Sequence, residues 1–258
     1  MRSYVREVRP VIQLKDVTKR FGPQVVLDGV NLVVEKNSVT TIVGASGEGK
    51  SVLLSIMIGL EPPDTGEIMI DGENIVGMKE SQLDKIRRRF GVLFQEGALF
   101  DYLTVGQNVA FPIREHLKLP EKEIQDIVME KLASVGLLGE EDKTPEQLSG
   151  GMRKRAALAR ALALEPDIVF FDEPTTGLDP VTSTVIFNLI LKTHLERPVT
   201  YVLVSHDVKS ALEYSDVVMM MYRGKILAQG APSVIKNDPG HPILRFMEGA
   251  FGASLAMR

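Results

Sequence analysis

The stretch Gly44–Ser51 reads G-A-S-G-E-G-K-S and constrains this chain more than any other. It fits G-x-x-x-x-G-K-[ST], a loop whose glycines let main-chain N–H groups close round an anion without a Cβ in the way. The run before it, Val39 to Val43, is β-branched and reads as a buried strand; the run after it, Val52 to Leu60, reads as a helix. Strand, glycine-rich turn and helix N-terminus in that order are the context the pattern needs. The helix end adds its unpaired N–H groups and positive dipole. Gly44, Ala45, Ser46, Gly47, Glu48 and Gly49, with Lys50, Ser51 and Val52, are therefore expected to wrap the phosphates of a nucleotide. Lys50 supplies a point charge for the β- and γ-phosphates, and the Ser51 hydroxyl is placed for Mg²⁺.

The bounds are permissive. A chain of 258 residues is long enough for one large domain or two small ones with a real core. A net charge of −4 gives no reason to expect nucleic acid as a partner. The absence of cysteine excludes a disulfide framework and Cys-ligated metal, and fits a reducing compartment. Met1 to Pro10 carries Arg2, Arg6, Glu7 and Arg9 without an apolar core, so it does not read as a signal peptide. No apolar run approaches the roughly 20 residues of a membrane span; any work at a membrane is expected to go through a partner.

Strands are expected at Val11–Val17, Val30–Val34, Val39–Val43, Gly66–Gly72 with an Asp-Gly turn, and Gly91–Phe94. Ser81 to Arg89 reads as a basic helix. From Gln95 to about Leu164 the pattern turns helical, with Thr104 capping a helix through Val109, Pro120 starting another that stops near Gly136, and Ser149 capping a third over Met152–Leu164. Strands return at Ile168–Phe171, Thr200–Val204, Val217–Tyr222 and Lys225–Ala228, with helices at about Pro180–Leu195 and Val208–Tyr214. Strands alternating with helices predict an α/β fold, a mainly parallel sheet covered on both faces, interrupted by a helical insertion.

Ile168-Val-Phe-Phe-Asp-Glu173 is a buried strand ending in two acids. Alone it reads as a solvated strand end. Downstream of a phosphate loop, Asp172 is the natural second partner for Mg²⁺ and Glu173 the general base that polarises the attacking water. Leu148-Ser-Gly-Gly-Met152 reads as a capped helix start, yet two glycines there cost about 0.5–1 kcal/mol each against alanine. Close approach of their N–H groups to a phosphate would compensate.

L-S-G-G with the basic helix R-K-R-A-A-L-A-R-A-L, just before a strand ending in Asp-Glu, resembles the signature of ATP-binding-cassette ATPases. The resemblance runs in order over about Val11 to Gly230. It implies a P-loop nucleoside triphosphatase of cassette type, with a mainly parallel core, an antiparallel β subdomain and a helical insertion. The domain limits expected are 1–236 for the ATPase, with the helical subdomain at about 96–164, and 237–258 for a C-terminal tail. Phe21 matches the aromatic that stacks on adenine, Gln95 the glutamine that touches Mg²⁺ and the attacking water, Asp179 the D-loop acid, and His206 the switch histidine on the γ-phosphate. Ser149, Gly150 and Gly151 are implied to cap the γ-phosphate held by Lys50 of a second copy. ATP and Mg²⁺ are thus the implied cofactors, and a head-to-tail homodimer the implied assembly.

Gly91–Phe100, Leu103-Thr-Val and Asn108–His116, with Met152 where most cassettes carry Gln, resemble the MlaF-like ATPases of Mce-type phospholipid transporters. That implies a permease dimer (MlaE-like), an Mce-domain protein (MlaD-like), in some systems a STAS-domain partner (MlaB-like), and a place on the cytoplasmic face of the inner membrane. Leu99, Phe100, Leu103 and Phe111 either line the groove for the permease's coupling helix or belong to the core of the insertion. His241 to Arg258, with Ile243, Leu244, Phe246, Met247 and Phe251, docks either on its own domain or on the second copy. Two other readings stay open: a soluble cassette acting on nucleic acid or ribosomes, and a regulatory cassette that binds ATP without turnover.

Overall fold

The computed structural model describes residues 10–248; the basic residues from Arg2 to Arg9, and Phe251 in the tail, lie outside them. In chain order the elements are β1 (Pro10–Phe21), β2 (Gln24–Glu35), β3 (Val39–Val43), α1 (Lys50–Met57), β4 (Thr65–Ile70), β5 (Glu73–Asn74), α2 (Glu80–Arg87), β6 (Phe90–Leu93), α3 (Val105–His116), α4 (Glu121–Ser134), α5 (Gly150–Leu162), β7 (Ile168–Asp172), α6 (Pro180–Glu196), β8 (Thr200–Ser205), α7 (Val208–Tyr214), β9 (Val217–Tyr222), β10 (Lys225–Gly230), α8 (Pro232–Lys236) and α9 (Pro242–Met247). They form two compact units: the described residues of 1–79 and 206–258, and residues 80–205.

In the first unit, β2-β1-β4-β5 make an antiparallel sheet. β1 and β2 run well beyond the expected Val11–Val17 and Val30–Val34, because Gly22 at φ 59 turns a hairpin that pairs Phe21 with Gln24. The expected Asp-Gly turn is there, with Asp71 at φ 47 and Gly72 at φ 84, the left-handed pair a tight hairpin needs. Beside this sheet β3 runs parallel to β9, and β9 antiparallel to β10. Every residue of β3 is buried, as a strand covered on both faces must be. Val43, Val208, Ala211, Leu212, Val218, Met220 and Ile235 form one apolar cluster. Ile243 of α9 joins it with no exposed surface, so the start of the tail docks on its own unit.

In the second unit, β6, β7 and β8 are parallel, with Leu93 facing Phe171 and Phe171 facing Leu203. Ile168 to Phe171 are fully buried, each large side chain contributing about 1.5–3 kcal/mol. Phe170 packs edge-on against Phe90 at 5.2 Å, and Phe171 against Tyr201 at 5.1 Å. α5 buries Ala156, Ala157, Ala159 and Ala161. That small-residue stripe lets it ride so close to β6 that a Cβ on Gly91 would stand 2.3 Å from the Ala161 carbonyl oxygen.

Thr104 caps α3 in a capping box with Gln107. The helix runs on to His116, past the expected end at Val109. Pro112 inside it forfeits one main-chain bond, but buried Val105, Val109, Ala110 and Ile113 hold the helix to the unit. Among the described residues no helix is long and apolar enough to cross a membrane.

Candidate active site

In the first unit the turn from β3 into α1 is built as the sequence predicts. Gly47 sits at φ 84 and Gly49 at φ 99, where a side chain is strained. A Cβ on Gly44 would lie 2.7 Å from the Met221 carbonyl oxygen, and one on Gly49 2.9 Å from a Val26 methyl. Ala45, Ser46 and Gly47 are exposed, and Val52 is half-buried on the first turn of α1. No side chain caps α1, so its first N–H groups face an incoming anion. Lys50 is 6% exposed and donates to the carbonyls of Gly44 (2.9 Å) and Ala45 (3.0 Å). The Glu48 carboxylate accepts the Arg223 N–H, tying the loop to the β9–β10 hairpin. The Ser51 hydroxyl is exposed one residue on.

Phe21, at the end of β1, is 48% exposed. Lys19 stands 5.2 Å from its ring centroid, and is held there by Glu61 (2.5 Å) and the Pro62 carbonyl (2.7 Å). One ring face thus has a cation and the ring remains open to a stacking partner. His206 is exposed, followed by Asp207, which caps α7 through the N–H (3.1 Å) and hydroxyl (2.5 Å) of Ser210.

In the second unit, the parallel register brings Gln95 and Glu173 past the same end of β6 and β7. Asp172 and Glu173 are both half-buried. Glu173 adopts φ 47, a left-handed conformation unusual for glutamate. It is fixed by its N–H to the Val204 carbonyl (3.0 Å) and by Thr176, whose hydroxyl donates to Oε2 at 3.1 Å. Lys154 of α5, 6% exposed, donates to the Gln95 carbonyl. Burial lowers its pKa from the ordinary lysine value, while Glu96, Asp172 and Glu173 pull the other way.

Ser149 is exposed and caps α5, accepting the Met152 N–H at 3.3 Å. Gly151 has a packing reason of its own: a Cβ on it would meet the Thr182 Cγ2 at 2.7 Å. Asp179 also has a structural task. Its carboxylate caps α6, accepting from Val181 N (2.9 Å), Thr182 N (3.0 Å) and Thr182 Oγ1 (2.5 Å). The Thr182 hydroxyl bond, then the main-chain bonds, hold its carboxyl below the usual aspartate range.

Among the described residues no cluster of three or more His, Asp or Glu stands ready for a metal. The Ser51 hydroxyl is exposed in the first unit and the Asp172 carboxylate half-buried in the second, and each is an oxygen donor of the kind Mg²⁺ takes.

Leu99, Phe100 and Leu103 are half-buried and Phe111 is 38% exposed. Phe100 packs at a tilt against Phe111 at 4.8 Å and against Tyr102, which is 80% exposed, at 5.7 Å. None of the four is fully buried. Sequence reasoning missed Asn108, which has no exposed surface: its Oδ1 accepts from Phe100 N (2.8 Å) and its Nδ2 donates to the carbonyls of Phe100, Leu103 and Thr104. It also missed Lys154, whose place in the basic run R-K-R gives no sign that its ammonium is buried.

Phosphate loop, strand-end carboxylates and serine–glycine helix start are together the equipment of a nucleoside triphosphatase of the ATP-binding-cassette type. The ABC transporter family matches residues 27–176, and the chain belongs to it; the protein binds and hydrolyses ATP. It is 42% identical over 239 residues to the intermembrane phospholipid transport system ATP-binding protein MlaF of Haemophilus influenzae, covering 93% of this chain and 90% of that one. It is 43% identical over 238 residues to the probable ribonucleotide transport ATP-binding protein mkl of Mycobacterium tuberculosis, covering 92% of this chain and 66% of that one. Among solved structures, the dimeric cassette MJ0796 in a post-hydrolysis state with ADP and Pi superposes with a TM-score of 0.79 at 33% identity, over 86% of this chain and 98% of that one.

Proposed function

We propose that this chain is the ATPase subunit of an intermembrane phospholipid transport system, working as an ATP-driven head-to-tail homodimer on a separate permease. The observation that carries the dimer is the exposed Ser149 turn: a helix N-terminus at the surface, open to a phosphate held by a second copy. The dimeric state of MJ0796 supports the same assembly. For the cargo, the likeness to MlaF spans nearly the whole of both chains, whereas the likeness to mkl leaves a third of that protein unmatched. This favours phospholipid over ribonucleotide.

In this reading the loop from Gly44 to Val52 and Lys50 grip the β- and γ-phosphates while Phe21 carries the adenine. Ser51, Gln95 and Asp172 would hold Mg²⁺, which neutralises phosphate charge when bound. Glu173 orients the attacking water and accepts its proton, and His206 contacts the γ-phosphate. Ser149, Gly150, Gly151 and Asp179 of the partner copy close the site. Loss of the γ-phosphate removes the bridge, so the dimer opens.

Residues 1–236 form the ATPase, about 96–164 its helical subdomain, and 237–258 the tail. Leu99, Phe100, Leu103 and Phe111, none of them fully buried, are the groove offered to the coupling helix of an MlaE-like permease. An MlaD-like protein, and in some systems an MlaB-like one, completes the complex, with this chain on the cytoplasmic face of the inner membrane. Light scattering of Glu173→Gln with ATP is expected to give a dimer; a monomer at high protein concentration refutes the clamp. Leu99→Asp with Phe100→Asp is expected to abolish assembly with the permease, and intact assembly refutes the docking surface.

A further inference from the structure

α5 does more than present the Ser149 turn. Two cations on it reach the main chain that follows β6. Lys154 Nζ donates to the Gln95 carbonyl, and Arg160 donates through NH1 to the Ala98 carbonyl at 2.6 Å and through NH2 to the Gly97 carbonyl at 2.8 Å. The loop fits this grip. Gly97, at φ 80, turns so tightly that a Cβ on it would touch Ala157 of α5 at 3.4 Å, and its N–H closes on the Phe94 carbonyl at 2.8 Å. Ala98 follows at φ 48, strained for a residue with a side chain. Beyond that one main-chain bond, the turn is held by the bonds from α5, which are charge-assisted.

We propose that Lys154 and Arg160 are positioning residues that lock the Gln95 loop onto α5, so that Gln95 and the Ser149 turn move as one block. Lys154 is the more telling of the two. Its ammonium is buried and donates to the carbonyl of Gln95 itself. Movement of the helical region is thereby delivered to Gln95 through a side chain rather than along a loose loop. The inference rests on the role proposed above for Gln95.

The test is amide hydrogen exchange on the full-length, nucleotide-free protein, with steady-state ATPase kinetics alongside. In Lys154→Met, which keeps the aliphatic stem and loses the donor, the Gly97 amide is expected to exchange roughly tenfold faster or more, a charged hydrogen bond having been lost. Amides of β7 should be unchanged. The kcat should fall about tenfold with KM within about twofold, since positioning rather than nucleotide grip is lost. Lys154→Arg should restore both protection and kcat.

Unchanged Gly97 exchange in Lys154→Met, or failure of Lys154→Arg to rescue, overturns the lock. Should Lys154→Met not fold, Arg160→Lys gives an independent measurement: faster Gly97 exchange is expected, and unchanged exchange overturns the proposal. Gln95→Ala separates the two layers. Full activity in Gln95→Ala with a loosened loop in Lys154→Met would overturn the role given to Gln95 and leave the lock standing.

Discussion

Replacing Gly151 with alanine tests whether the second signature glycine answers to packing within its own subunit. The new Cβ would lie 2.7 Å from Thr182 Cγ2, inside any normal carbon–carbon contact. Thr182 cannot rotate away cheaply, because its Oγ1 is bonded to Asp179 Oδ2 at 2.5 Å and its N–H to Oδ1 at 3.0 Å. Overpacking of this kind costs about 1–3 kcal/mol, and losing the Asp179 cap adds about 1 kcal/mol. Against this, alanine gains at most about 1 kcal/mol over glycine in a helix. The clash wins, by about 2 kcal/mol, which for a chain of this size lowers the melting temperature by about 4–8 °C.

Thr182→Ser removes the offending methyl and keeps the hydroxyl on Asp179, so the double variant should recover most of the loss. Gly150→Ala is the control. There the nearest atom is the end of the flexible Leu178 side chain at 3.3 Å, and stability should stay within about 0.5 kcal/mol. The assay is calorimetry of the nucleotide-free protein, where no phosphate contact contributes. Equal melting of Gly151→Ala and wild type, or no recovery with Thr182→Ser, would refute the packing account and return both glycines to phosphate contact alone.

Asn108→Ala should cost about 3 kcal/mol in chemical denaturation, because it strips a fully buried amide and leaves the Phe100 N–H without its 2.8 Å acceptor. Phe21→Ala should raise the KM for ATP about tenfold with little change in kcat, the worth of one stacking platform; an unchanged KM would remove Phe21 from the adenine site. Burial pushes the Tyr201 hydroxyl up to about 12, against a weaker opposing effect of its Thr193 hydrogen bond. The unfolded chain ionises first, so this contribution is intact below pH 10 and fades as pH rises toward 12, by about 3 kcal/mol in all. Tyr201→Phe should flatten that alkaline decline, as followed by denaturant midpoints across pH 9–11.

What could be read from the residues was whatever depends on local pattern. β3, the phosphate turn and β7 are short, buried and punctuated by residues with one good use, and α7 falls on the expected residues from Val208 to Tyr214. Boundaries set by distant partners were not legible. β2 extends to Gln24 because β1 lies opposite it, and α3 survives Pro112 because its face is buried. The site divides in the same way. Loop glycines, Lys50 and the strand-end acids announce themselves by spacing. Lys154 meets the Gln95 main chain 59 positions away and Thr182 meets Gly151 of a different helix, so neither contact falls in one window of sequence; Asn108 reaches only to Phe100, Leu103 and Thr104, but apolar periodicity does not announce a buried amide.

Lys50 donates to the Gly44 and Ala45 carbonyls of its own loop. A phosphate entering the loop therefore trades with two neutral acceptors rather than meeting a naked ammonium. The trade trims affinity, and it also leaves the turn self-supporting when product departs. A motor that must empty its chamber on every stroke has use for a seat that keeps its form between passengers.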